Sequence, residues 1–298
     1  MVVRPARIVP LRRAVAALAA LLLVGLAILA QAGPAAAWGD MGYRVMGDLA
    51  YARLTPAARA QVDAMIAAAP VSGEPSCPVA SLADAAVFPG CVDGIRRYND
   101  LRKSRDEDQP VCPAQARGDP CKDGQCPSGA VKRALAVLAD PARQAPARLY
   151  ALEQLSRAIA DLHQPFDMVD NRDDHARDIR VVLPGSSDKH LNLHDFWTDI
   201  VLAPALGADE GTAAAWLQPV VAGDRGWETG DVDAWAGETA TLARVLYSRL
   251  PEAPQCGRNP RNPEALDRTY VEAAVPIARE QLARAAVRLA ALLNQTLH

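Results

Sequence analysis

The chain has 298 residues, 50% of them hydrophobic and 22% charged, and carries a formal charge of −3 at neutral pH. That balance excludes disordered and collagen-like classes, and the length allows one large domain or two small ones. The negative charge also excludes a basic surface of the kind that holds nucleic acid by electrostatics alone.

The first 37 residues read as an export signal. Arg4, Arg7, Arg12 and Arg13 precede an uncharged apolar run from Ala14 to Ala30, and Ala35-Ala36-Ala37 supplies the small residues that a signal peptidase needs. An uncleaved membrane anchor is the competing reading, since the run is only slightly short of a bilayer span. Cleavage would leave residues 38–298 as one domain beginning at Trp38, and would take the formal charge to −7, because four arginines and no acid are removed. The expected location is periplasmic or secreted. No later stretch could cross a bilayer, so no stable membrane association is expected after cleavage.

Beyond the signal, Val45, Met46, Leu49 and Ala50 recur at helical spacing. Thr55-Pro56 has the form of an N-cap followed by proline at the first helical position, and Val62, Met65 and Ile66 carry the inner face of the helix it opens. Pro70 to Ser128 is dense in Pro, Gly, Cys and charge, which predicts loops tied by cysteines with short helices between them. Cys77, Cys91, Cys112, Cys121, Cys126 and Cys256 form an even set behind an export signal and read as disulfides, their pairing open. A zinc half-site at Cys121 and Cys126 is the competing reading, but no second pair is suitably spaced.

Helices are predicted at Ala130–Leu138 and Ala145–His163, separated by Asp140-Pro141. The second places Arg157 and Asp161 one turn apart on one face, and Gln164-Pro165 ends it. The loop from Asp167 to Asp178 is rich in acids but lacks the glycine and spaced glutamate of an EF-hand; it reads as a solvated loop, with calcium binding as the alternative. Ile179 to Leu183 is short, β-branched and extended, and Leu193 to Leu202 reads as a helix with His194 and Thr198 one turn apart. Four of the five histidines fall between Leu155 and Asp199, among many carboxylates. Asp161, Asp167 and His194 are expected to converge there. The fold class is all-α, a single-domain helical bundle with one short β-hairpin.

Arg157 to Asp167 reads Arg-Ala-Ile-Ala-Asp-Leu-His-Gln-Pro-Phe-Asp, and Asn192-Leu193-His194-Asp195-Phe196-Trp197-Thr198 follows the hairpin. Together they resemble the core of the S1/P1 nuclease family, whose pattern is roughly His-Phe-x-Gly-Asp-x-His-Gln-Pro-Leu-His, a hairpin, then Asn-Leu-His-x-x-Trp-Asp. Trp38-Gly39-Asp40-Met41-Gly42-Tyr43 is similar to the family's Trp-Gly-x-x-Gly-His, Ser81-Leu82-Ala83-Asp84 to its Ser-Trp-Ala-Asp, and Arg97-Tyr98-Asn99-Asp100 to a His-Phe-x-Asp segment. Trp235-Ala236-Gly237-Glu238-Thr239 and the helix from Gln281 to Asn294 match elements without chemistry.

The resemblance implies a helical fold of the phospholipase C/P1 nuclease type and an exported endonuclease that hydrolyses single-stranded nucleic acid with three zinc ions. It also implies the disulfides Cys121–Cys126 and Cys112–Cys256, which leaves Cys77 with Cys91. Nine positions bind the family's metals, and identity is kept at Trp38, Asp84, Asp161 and His194, while Tyr43, Arg97, Arg157, Asp167 and Thr198 stand at the other five. Asp84 would also be catalytic, and Tyr98 would be the platform on which a base stacks.

The residue chemistry qualifies that inheritance. Arginine offers no lone pair, and a phenol is a poor zinc ligand at neutral pH. Arg97 and Arg157 are therefore expected to pair with Asp84 and Asp161 in place of zinc, and with Tyr98 to form a place for a phosphate or nucleotide. A single residual metal could rest on Asp167 and His194, with Asp199, His163 and His190 as nearby donors. The expected function is that of an S1/P1-type protein with fewer than three zinc ions or none and impaired catalysis. A non-catalytic relative that binds nucleotide or another phosphate ligand, and a structural or interaction protein, are the alternatives.

Overall fold

The apolar periodicity resolves into helices whose ends are marked by short polar side chains. The computed structural model describes residues 38–67, 77–91, 109–110, 121, 126–186, 188, 190–206, 209–224, 226–252 and 257–298. The export signal, Arg97, Tyr98 and the Cys112–Cys256 pairing lie outside these residues. Helix α1 (Asp40–Ala52) buries Tyr43, Val45, Met46, Leu49 and Ala50. Thr55 opens α2 (Pro56–Ala67), its hydroxyl accepting the Ala58 N–H at 3.2 Å. Next come α3 (Leu82–Cys91), α4 (Pro127–Leu138) and α5 (Ala145–Leu162). The short turns α6 (Leu193–Asp195) and α7 (Ala203–Leu206) precede α8 (Glu210–Ala222), α9 (Val232–Ser248) and α10 (Arg268–Thr296). Asp209, Asp231 and Asp267 cap the last three, each accepting a backbone N–H three residues on.

Extended structure is minor. β1 (Gln109–Pro110) pairs in parallel with β2 (Val169–Asp170), and β3 (Val181–Val182) in parallel with β4 (Glu264–Ala265). The predicted hairpin is reduced to one antiparallel bridge, Arg180 to Asn192, flanked by Val181 N–H to Leu191 carbonyl (2.9 Å) and Leu193 N–H to Ile179 carbonyl (2.8 Å). The other edge of β3 goes to β4, so hydrogen bonds arrive from both sides.

Two helices also differ from the sequence reading. The helix expected over Leu193–Leu202 is one α-turn that passes into a π-turn, Phe196–Ile200. The closing helix begins at Arg268, well before Gln281, because the Asp267 cap and packing against α8 sustain it through Pro276. Ala278, Leu282, Ala285, Ala286, Leu289 and Leu293 make its buried face, which packs on α1, α5 and α8. No helix among the described residues is long and apolar enough to cross a membrane. Disulfides join Cys77 to Cys91 and Cys121 to Cys126.

The approach of α1 to α3 depends on one glycine. A Cβ at Gly47 would stand 2.7 Å from the Cα of Ala83 and 2.9 Å from the Leu82 carbonyl oxygen, so only hydrogen fits between the two backbones. Gly47→Ala is therefore expected to lower stability by about 1–3 kcal/mol, since overpacking must move one helix. Thermal melts of the two proteins check this, and an unchanged midpoint would mean that α1 and α3 are free to separate.

Candidate functional site

Asp161 is the centre of the site. Helix α5 places Arg157 one turn before it, and Arg157 Nε donates to both carboxylate oxygens at 3.1 and 3.2 Å. Helix α1 supplies Tyr43, whose hydroxyl donates to Asp161 Oδ1 at 2.6 Å and whose ring lies 4.2 Å beneath the Arg157 guanidinium. The Trp38 main-chain nitrogen in turn donates to the Tyr43 hydroxyl at 3.4 Å, and its indole N–H holds the Ala160 carbonyl at 3.0 Å. Burial pushes the Tyr43 phenol well above its ordinary value, so it stays protonated and acts as a donor. Burial also opposes the Arg157 cation, but Asp161 outweighs it and the group titrates above its usual range.

Asp84 lies elsewhere. In the first turn of α3, its Oδ1 takes Arg44 Nη1 at 2.5 Å, while Oδ2 accepts the Ala80 N–H and the Ser81 hydroxyl, each at 3.0 Å. Burial would raise its carboxyl, yet Arg44 and the two local donors hold it below the usual range. Among the described residues the cation on Asp84 is thus Arg44, not Arg157. Arg44 follows Tyr43 on α1, and the contact at Gly47 brings it to α3.

The third group forms where α5 ends. Gln164 caps the 3₁₀ turn Pro165–Met168, its side chain accepting the N–H groups of Phe166 and Asp167. Asp167 Oδ1 then lies 2.9 Å from His194 Nε2, and Thr198 Oγ1 lies 3.3 Å from His194 Nδ1. His194 is fully buried, which disfavours its charge, but Asp167 and Asp195 outweigh burial and raise it to about 9. Its Nε2 proton therefore points at Asp167. Arg177 Nη2, 3.0 Å from the same nitrogen, is then a second cation facing that carboxylate and not a hydrogen-bond donor to the ring.

Among the described residues the expected spare donors do not complete a metal-binding group. His163 gives Nδ1–H to the Ile159 carbonyl at 2.7 Å and accepts Arg288 Nη1 on Nε2 at 2.9 Å, and burial with that guanidinium drives it down to about 3. His190 is exposed in the hairpin turn. Asp199 sits against Gly39, where an added Cβ would meet its Oδ1 at 3.1 Å. In the acidic loop, Asp170 accepts the Asp173 N–H at 3.0 Å, and Asp173 accepts the Ala176 N–H at 2.8 Å and the Tyr247 hydroxyl at 3.1 Å. These carboxylates hold a turn in which Arg172, Asp174, His175 and Ala176 all have positive φ. Among the described residues no three His, Cys, Asp or Glu side chains come together as a group able to hold a metal.

The S1/P1 nuclease family model matches residues 38–298, a span that takes in every one of these groups. The chain belongs to the S1/P1 nuclease family. No curated protein sequence matches it. S1/P1 nucleases are generally zinc-dependent, act on nucleic acid and are typically secreted, and the two disulfides fit an extracellular protein. Within that family frame, Arg44 and Arg177 are the residues that sequence reasoning passed over. Arg44 had a signal in its place next to Tyr43 at the start of α1. Arg177 had none, because its loop has no periodicity.

Gln154 lies one turn before Arg157 on α5 and is 6% exposed, with no hydrogen-bond partner for either amide atom among the described residues. Gln154→Met keeps the volume and removes the orphaned amide, so it is expected to raise stability by about 1 kcal/mol. A lowered melting temperature would show that the amide has a partner after all.

Proposed function

We propose that this S1/P1-family protein is exported, that hydrogen-bonded protein groups stand where the family's metal ligands converge, and that its hydrolysis of single-stranded nucleic acid is impaired for that reason. The observation that carries this reading is Asp161, whose two oxygens are taken by Arg157 Nε and whose Oδ1 also accepts the Tyr43 hydroxyl. A carboxylate that bridges metals needs those lone pairs free, and a cation must leave before zinc can approach. Asp167 and His194 support the same reading, since they are bonded to each other at 2.9 Å with a proton between them. Asp84 is likewise committed to Arg44. The residues thus fit zinc poorly. Export is supported by the basic and apolar N-terminal pattern and by the disulfides.

A second reading, retained binding of a phosphate or nucleotide, is favoured by one detail. Arg157 spends only Nε on Asp161, and its two Nη groups have no partner among the described residues. They can donate to a phosphate without breaking the ion pair.

The test is metal content and cleavage of single-stranded DNA, measured on protein purified from the periplasm or medium without chelator. Less than one zinc per chain and negligible cleavage are expected. Stoichiometric zinc with strand-specific cleavage would overturn the proposal. Retention of inorganic phosphate or a mononucleotide, lost in Arg157→Met, would separate the second reading from a purely structural role.

A further inference from the structure

The π-turn Phe196–Ile200 sets Thr198 against His194 of α6 and carries Trp197 to the Tyr270 hydroxyl. Behind Trp197, a cavity of about 340 Å³ opens between the C-terminal end of α9 and the first turns of α10. Its floor is Trp197, Leu246 and Ala274, all buried; Tyr270 and Ile277 form the walls, and Arg249 and Asp267 stand at the rim. The size is that of a site for a small organic molecule, with mostly apolar walls and few polar groups.

Two of those polar groups are unused. The Tyr270 hydroxyl accepts the Trp197 indole N–H at 3.2 Å, and among the described residues its own proton has no acceptor. Arg249, exposed at the C-cap of α9, has no side-chain partner among the described residues, although its charge reaches Tyr270. Burial, offset in part by Trp197 and Arg249, raises the Tyr270 phenol to about 12, which keeps it a donor at any physiological pH. Asp267 is different: its Oδ1 holds the Tyr270 N–H at 2.7 Å and caps α10, so it repels an anion from that side of the rim.

We propose that this cavity is a binding site for a small aromatic carboxylate. The ring lies between Tyr270, Ala273 and Ile277, above the buried Trp197, Leu246 and Ala274, and the carboxylate accepts hydrogen bonds from Arg249 and the Tyr270 hydroxyl. A neutral aromatic would leave the Arg249 charge unmatched, an aromatic cation would face it directly, and an aliphatic anion would leave the floor bare. The site is separate from the Asp161 cluster, so its occupancy depends neither on zinc nor on hydrolysis.

Ligand-observed NMR on the full exported protein provides the test, with phenylacetate as probe and benzamidine and acetate as controls of opposite charge and without a ring. Phenylacetate is expected to bind with a dissociation constant of about 1 mM, and neither control to bind in that range. Arg249→Gln, at an exposed position that folding tolerates, is expected to weaken phenylacetate at least about tenfold. Ala273→Leu, which fills the cavity, is expected to abolish binding. Absence of phenylacetate binding to the wild type, equal binding of benzamidine, or unchanged affinity in Arg249→Gln overturns the proposal. None of these outcomes bears on metal content or cleavage.

Discussion

Arg157→Ala is expected to lower the melting temperature by about 5–10 °C, corresponding to a loss of about 2–3 kcal/mol. The pair it breaks is partly buried, with side-chain exposures of 13% for Arg157 and 25% for Asp161. Residual solvent access keeps the cost below the range for a fully buried ion pair. The loss has two parts: Asp161 is left with Tyr43 as its only donor from outside α5 among the described residues, and Tyr43 loses the guanidinium stacked on its ring. Arg157→Lys separates them, because an ammonium restores charge but neither the planar stacking nor the bifurcated Nε bond. Its melting temperature should fall between those of wild type and Arg157→Ala. A shift of less than about 1 °C for Arg157→Ala would place this pair among ordinary surface salt bridges and remove it as a substitute for a metal.

The double variant Tyr43→His with Arg157→His is expected to convert that internal cation into a metal requirement. Both positions would then carry the residue type that the family uses, next to Asp161 and close to the Trp38 nitrogen. Without zinc the variant should melt below wild type, since it loses a cation and a phenolic donor from a partly buried carboxylate. With zinc at about a hundred times its dissociation constant, stability should recover by about 2.7 kcal/mol, while wild type stays flat. Melts of both proteins with and without zinc decide the matter. A large zinc-dependent rise in wild type and none in the double variant would mean that a metal site of conventional kind exists and that Arg157 is not its replacement.

Much of this arrangement was legible along the chain. The spacing of Arg157 and Asp161 places them on one helical face, and observed distances of 3.1 and 3.2 Å follow from that spacing. That an arginine and a tyrosine make poor zinc ligands is a property of the single side chain and needs no coordinates. The caps at Thr55, Asp209, Asp231 and Asp267 are local as well, since each carboxylate or hydroxyl reaches an N–H three residues away.

What only the tertiary structure decided is which charge meets which. Asp84 was expected on Arg97 or Arg157, and among the described residues it takes Arg44, because the missing Cβ of Gly47 lets α1 lie directly on α3. His163, a nearby donor by sequence, is drawn off by Arg288 from α10, 125 positions away. Arg177 reaches His194 from a loop held by its own aspartates, and the π-turn places Trp197 beneath the cavity beside α9 and α10. Spacing within one helix is set by its pitch, whereas partners between elements are set by how closely their backbones can approach. That distance depends on small residues and on packing that no local pattern in the chain records.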